Sequence, residues 1–215
     1  MPYGKLVVAK LYKSAELDEY LEEALKAAGY GGAELEKLPL GYRLNLFVVR
    51  PGLAIGRKGT GIRALTENLS QKFGLDNLTV NVEEITEPDM NPRVVAQRIA
   101  SMAERGMAFR RAASITMNNV MRAGAMGCII AVRGKLRSER SHFERYVNGV
   151  VPISGHQKDI VVRSAVSSVL LKMGLYGISV KISYKDAMPP EFELKKQEQP
   201  PPEGEKVQEN VSAQA

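Results

Sequence analysis

The sequence predicts an α+β protein of two small domains followed by a tail, and three observations carry that prediction. Stretches of alternating apolar residues, which suit half-buried strands, are interleaved with stretches of helical period. They fall into two blocks, residues 14–107 and 108–185. A chain of 215 residues with an ordinary apolar content of 44% is long enough for two modest cores. Beyond Ala187 the residues turn to Pro, Glu, Gln and Lys with no apolar period, so residues 186–215 read as a disordered tail.

Residues 1–13 form an N-terminal arm, mildly apolar over residues 5 to 12, where a short strand or an extended stretch is expected. Ser14 then caps a helix in which Leu17, Tyr20, Leu21, Ala24, Leu25 and Ala28 recur at helical spacing, and Gly29 ends it. Residues 33 to 38 and 42 to 50 read as two strands turned by Pro39-Leu40-Gly41. In the second, Tyr42, Leu44, Leu46 and Val48 alternate against Arg43, Asn45 and Phe47. Pro51 to Ile55 leaves room for barely one helical turn. After Gly56-Arg57-Lys58-Gly59 comes a helix with Ile62, Leu65, Leu69 and Phe73 on one stripe. Past Gly74, a strand sets Leu78, Val80 and Val82 opposite Asn77, Thr79 and Asn81.

The glycine joint is where this block can touch a ligand. Gly56 and Gly59 remove side chains that would hold a sugar-phosphate chain away from the backbone, and Arg57 and Lys58 fill the gap with positive charge. A nucleotide-binding P-loop is excluded on spacing. An exposed basic turn would use the same four residues, so the flanks decide. Ile55 and Ile62 complete an Ile-Gly-x-x-Gly-x-x-Ile pattern and are expected to anchor the loop from below. The joint resembles the Gly-x-x-Gly loop of the KH RNA-binding domain, which clamps a short run of single-stranded nucleotides. The element order of helix, strand, strand, short helix, joint, helix and strand is similar to the type II KH fold over residues 14 to 86.

The next segment, a helix trailing the first block, opens on Asn91-Pro92, a cap followed by proline at the first helical position. Val95, Ile99 and Met102 mark one buried face, and Phe109, Ala112, Ala113, Thr116, Met117, Val120 and Met121 mark that of a second helix. Arginine is what these helices are expected to show to solvent, at Arg93, Arg98, Arg105, Arg110, Arg111 and Arg122. A strand follows from Cys128 into Arg133-Gly134-Lys135-Leu136-Arg137, where alternation puts three cations on one side; Arg140 and Arg145 come after. Residues 146 to 153 and 159 to 165 read as strands, residues 165 to 173 as a short helix, and Ile178, Val180 and Ile182 as a final strand.

Charge narrows the class of partner. The formal net charge is +6, but residues 186 to 215 hold seven acids against three lysines, so the remainder has 27 basic and 17 acidic residues. Between residues 93 and 145 the counts are eleven basic and three acidic. That distribution favours a polyanion, and nucleic acid over a membrane because no apolar run reaches spanning length. The single cysteine, Cys128, sits in an apolar run and reads as a core residue in a reducing compartment. Met1 to Lys5 lack the build of a signal or transit peptide, so a cytoplasmic location is expected. His142 and His156 lie in unrelated elements and no carboxylate cluster suggests a metal, so no catalytic residue, cofactor or small-molecule substrate is assigned.

Phe109-Arg110-Arg111-Ala112, then Gly124-Ala125-Met126-Gly127 leading into Arg133-Gly134-Lys135-Leu136, and later Tyr176-Gly177-Ile178-Ser179-Val180-Lys181 follow the KH-like block in order. Together they resemble the second domain of the ribosomal protein S-three family of the small subunit, in its archaeal or eukaryotic form, and the likeness extends over residues 14 to 185. The resemblance implies a structural, non-catalytic component of the small-subunit head. It would bind the 3′ domain of small-subunit rRNA, touch neighbouring ribosomal proteins and line the channel by which mRNA enters. The residues it implicates are Gly56, Arg57, Lys58, Gly59, Arg110, Arg111, Arg133, Lys135, Arg137, Arg140 and Arg145. In bacterial members the arginine pair matched by Arg110 and Arg111 works with a third basic residue. That position is Ser114 here, with Arg105 as a spatial substitute. Two other functions share these residues: a free-standing KH regulator of messages, and the endonuclease activity on damaged DNA credited to eukaryotic members.

Overall fold

The computed structural model describes residues 3–75, 77–136 and 138–185, without the side chains of residues 3–10. The tail expected over residues 186–215, and Arg137, lie outside the described residues.

The first helix, α1, runs from Tyr3 to Ala24. The strand or extended stretch expected over residues 5 to 12 is therefore helical, since no Gly or Pro interrupts Lys5 to Glu23. Ser14 is not its cap. It lies mid-helix with its hydroxyl donating to the Leu11 carbonyl at 2.8 Å, the back-bond by which a serine inside a helix satisfies its hydroxyl.

Strands β1 (Tyr30–Leu38) and β2 (Gly41–Val48) form an antiparallel hairpin with Leu38 opposite Gly41. After α2 (Pro51–Ile55), a 3-10 turn over Arg57–Gly59 and α3 (Thr60–Phe73), strand β3 (Leu78–Glu84) joins β2 in parallel. The sheet order is β1-β2-β3. Alternation in β2 puts Leu44, Leu46 and Val48 at 0% exposure, on the face covered by Leu17 and Leu21 of α1 and Leu69 of α3. The expected element order of the first block holds throughout, including the one-turn α2.

Helix α4 (Pro92–Glu104) precedes residue 108 but packs Val95 and Ile99 into the core of the second sheet, so it goes with the second block; the Asn91 side chain accepts from the Arg93 amide at 3.0 Å and Pro92 occupies the first turn. The block continues with α5 (Phe109–Arg122), β4 (Gly127–Gly134), β5 (His142–Gly149), α6 (His156–Val161), β6 (Val162–Leu171) and β7 (Gly174–Ser183). The four strands make an antiparallel sheet in the order β5-β4-β7-β6. Cys128, Ile130, Val132, Ile178, Val180 and Ile182 point into one core with Val95, Ile99, Ala112 and Val120, so α4 and α5 cover one face. Burial pushes the Cys128 thiol up to about 12, which suits a packing residue.

Four expectations fail in this block. The strand expected to run from Cys128 into Lys135 and Leu136 stops at Gly134, so Lys135 lies beyond it in the connection to β5 and does not share its alternation. Residues 165 to 173 are not helical: Ala165, Ser167 and Val169 are buried while Val166 and Leu170 are exposed, the period of a strand. The helical spacing arose because β6 carries apolar residues on both faces, which blurs the alternation. Conversely, the start of the strand expected from residue 159 belongs to α6, and the strand expected over 146 to 153 begins earlier, at His142.

Among the described residues, two ion pairs join the blocks. Arg93 of α4 grips Asp18 of α1 at both carboxylate oxygens, 2.8 and 2.5 Å, and the Tyr30 hydroxyl donates to the same carboxylate. Lys26 meets Glu104 at 2.7 Å.

Candidate nucleic-acid interface

The Gly56–Gly59 loop is built by a close approach of two helices. A Cβ on Gly61 would stand 2.6 Å from the Ala54 carbonyl oxygen, and one on Gly56 would stand 2.9 Å from the Gly61 amide, so α2 and the first turn of α3 touch backbone to backbone. Between them, Gly56 (φ 71), Lys58 (φ 55) and Gly59 (φ 78) all take left-handed conformations. For lysine that costs about 1 kcal/mol. The strain turns Arg57 and Lys58 outward, where both are exposed. Gly59 precedes α3 with no side chain capping its first amides, and the Thr60 hydroxyl turns back to the Arg57 carbonyl at 2.9 Å. The result is a cationic turn at an open helix N-terminus, which favours phosphate.

The anchors differ from expectation. Ile55 is 37% exposed and Ile62 half-buried, while Ala54, at 3%, takes the place beneath the loop. The five-residue α2 explains the shift, since one turn can direct only one residue squarely into the core.

Arg110 and Arg111 occupy the first turn of α5 and are exposed. That turn has no acidic residue and no capping side chain, and cations there oppose the helix dipole. Their position weakens the helix end and so is not explained by helix stability. Phe109 packs on Tyr176 with ring centroids 5.0 Å apart, and the Tyr176 hydroxyl donates to the Lys135 carbonyl at 2.6 Å. Gly134 lies under the same ring, where a Cβ would meet Tyr176 at 2.5 Å. This contact brings the start of α5 to the end of β4, so Arg110 and Arg111 share one end of the block with Arg133 and Lys135, both exposed. Leu136 turns inward against the core.

Arg145 stands opposite Ala131, and Phe143 opposite Arg133, so Arg133 and Arg145 lie on the sheet face away from the helices. Arg140 is exposed in the β4–β5 connection. Ser114 is exposed and donates to the Arg110 carbonyl at 2.9 Å, while Arg105 is exposed at the end of α4. Two of the arginines expected at the surface are not free. Arg93 holds Asp18, and Arg98 is hydrogen-bonded to Asp89. Burial alone would raise the Asp18 carboxyl, but hydrogen bonds from Arg93 and Tyr30, with the Arg93 charge, hold it below the usual carboxylate range. Tyr30 is pushed up, first by burial and then by its bond to Asp18. Sequence reasoning missed this cluster because its partners are 75 residues apart. Among the described residues no group of three His, Cys, Asp or Glu could hold a metal, and no helix is long and apolar enough to cross a membrane.

Comparison with known proteins matches residues 16–90 to the KH domain family and residues 99–182 to the family described as ribosomal protein S3, C-terminal domain. The chain is 41% identical over 182 residues to small ribosomal subunit protein uS3 of Methanobrevibacter smithii, covering 85% of this chain and 71% of that protein. It is 40% identical over 209 residues to its namesake in Staphylothermus marinus, covering 94% and 93% of the two. The chain belongs to the uS3 family. A third uS3 protein, from Thermofilum pendens, is 40% identical over 86% of this chain and 92% of its own length. The uS3 assignment accounts for both blocks together, since a KH fold followed by the S3 C-terminal domain is the order seen here.

Proposed function

We propose that this chain is a structural constituent of the small ribosomal subunit, acting in the cytoplasm by binding RNA without catalysis. Within the subunit it sits in the head, on the 3′ domain of small-subunit rRNA beside neighbouring ribosomal proteins, and lines the mRNA entry channel. The observation that carries this reading is the loop at Gly56–Gly59, whose strained backbone holds Arg57 and Lys58 in solvent at the open end of α3. Membership of the uS3 family supplies the particle.

RNA phosphates meet two kinds of surface. At the loop they approach a backbone cleared of side chains; at the second block they meet Arg110, Arg111, Arg133, Lys135, Arg140 and Arg145. Arg137 extends that set from outside the described residues. Arginine bridges phosphate oxygens in pairs and stacks on exposed bases, so these residues suit folded RNA and incoming mRNA. Ser114 leaves the α5 group with two cations, which makes its hold on mRNA weaker than a three-cation set would give.

The test is sedimentation of the tagged chain through a sucrose gradient, with RNA crosslinking at the loop. The chain travels with small subunits, and Arg57→Asp with Lys58→Asp removes the loop crosslink while leaving the fold intact. A chain that sediments away from ribosomes, or an unchanged crosslink in the double variant, refutes the reading.

A further inference from the structure

A second cleft, distinct from the loop, lies where the two blocks meet. It has a volume of about 270 Å³, and one stripe of α4 lines it with Gln97, Arg98, Ser101 and Arg105, facing Lys26 and Arg50. Its four cations face two carboxylates that pair with them, Asp89 on Arg98 and Glu104 on Lys26. Arg50 spends one donor on the Ala27 carbonyl at 2.6 Å, and Arg105 makes no ion pair among the described residues. At its base, Gln97 is 6% exposed, and neither its amide oxygen nor its amide nitrogen has a hydrogen-bond partner among the described residues. An amide buried without partners is destabilising, and an apolar residue of the same length would fit the flanking Val94, Val95, Ala96 and Ile99 better. Glutamine at this position therefore suits a ligand that offers one donor and one acceptor side by side.

We propose that this cleft binds a single unstacked nucleotide of an RNA strand, its base edge paired with the Gln97 amide and its phosphate held by Arg50 and Arg105. The inference rests on the RNA-binding reading above and adds a base-reading site to it. A glutamine amide pairs in bidentate fashion with adenine, accepting from N6–H and donating to N7, so adenine is the preferred base. Both amide atoms are closed to bulk water in the free chain. Lys26, Arg50, Arg98 and Arg105, which line the cleft with Gln97, are long and rotatable, and an incoming strand draws their charges onto its phosphates as the base enters.

The experiment measures binding of the full-length protein to labelled 12-nucleotide RNAs of A, C, G and U by fluorescence anisotropy, with melting temperatures recorded in parallel. Gln97→Met is expected to lose about tenfold in affinity for the A strand and less for the others, while melting at or above the wild-type temperature. Arg105→Ala lowers the salt slope by about 0.7 on all four strands. The loop variant Arg57→Asp with Lys58→Asp weakens all four alike. If Gln97→Met binds every strand as wild type does, or loses equally on all four, or melts lower because its amide was already paired, the inference is overturned while the loop reading stands. If the wild-type chain binds none of the strands, both fall.

Discussion

The two blocks offer positive charge to RNA in different ways. In the first, two cations ride on a backbone forced into left-handed conformations between two touching helices, so contact depends on shape as much as on charge. In the second, Arg110 and Arg111 stand at a helix start, Arg133 and Arg145 on a sheet face, and Lys135 and Arg140 in the connection between β4 and β5, with no left-handed non-glycine residue among those described. The contrast teaches that a shape-dependent site is fragile to any change of backbone, whereas a charge-dependent one yields only to changes of charge.

The hardest test of that contrast is Gly61→Val. Its side chain cannot avoid the Ala54 carbonyl, so the first block should lose about 3 kcal/mol or more, seen as a lowered melting temperature. The second core, which shares no residue with the first, should keep its hydrogen-exchange protection. Equal loss of protection in both cores would show that the blocks do not fold as separate units.

Charge reversal at Arg110 and Arg111 probes the other half. It should weaken RNA binding by about tenfold or more and raise stability slightly, because glutamates at the start of α5 favour the helix dipole. A fall in stability would mean the arginines serve the fold.

Between the blocks, Asp18→Asn leaves Arg93 without its counter-charge and weakens the bond from Tyr30, at a cost of about 1–2 kcal/mol. The sign with pH follows from the lowered Asp18 carboxyl. Its contribution is present above the ordinary carboxylate value of 3.8 and is lost as pH falls through the lowered folded value. Acid melts should therefore show a shallower acid limb in the variant than in wild type.

Smallest is Lys58→Gly. Relief of the left-handed lysine should stabilise the chain by about 0.5 kcal/mol, while one lost phosphate contact reduces the salt slope by about 0.7.

Much of this was legible in the sequence where the signal is local. Asn91-Pro92 announced α4 because cap and proline act on adjacent residues, and Leu44, Leu46 and Val48 announced β2 because one face of that strand is wet. The loop was legible because both of its glycines take positive φ, and Gly56 also meets the Gly61 backbone, so the residue type itself marks the turn. What was hidden depends on distant partners. Arg93 and Arg98 look like surface charges until Asp18 and Asp89 arrive from other elements, and Gln97 looks like one more helix polar residue until its burial is known. Strand β6 was misread because Val166 and Leu170 are apolar on an open face.

The most direct measurement is the salt dependence of RNA affinity for wild type beside Arg57→Asp with Lys58→Asp. If the loop holds single-stranded RNA by its phosphates, the slope of log affinity against log salt becomes shallower by about 1.4 in the double variant, and the melting temperature stays put. An unchanged slope would contradict the account, because RNA would then be bound without the loop.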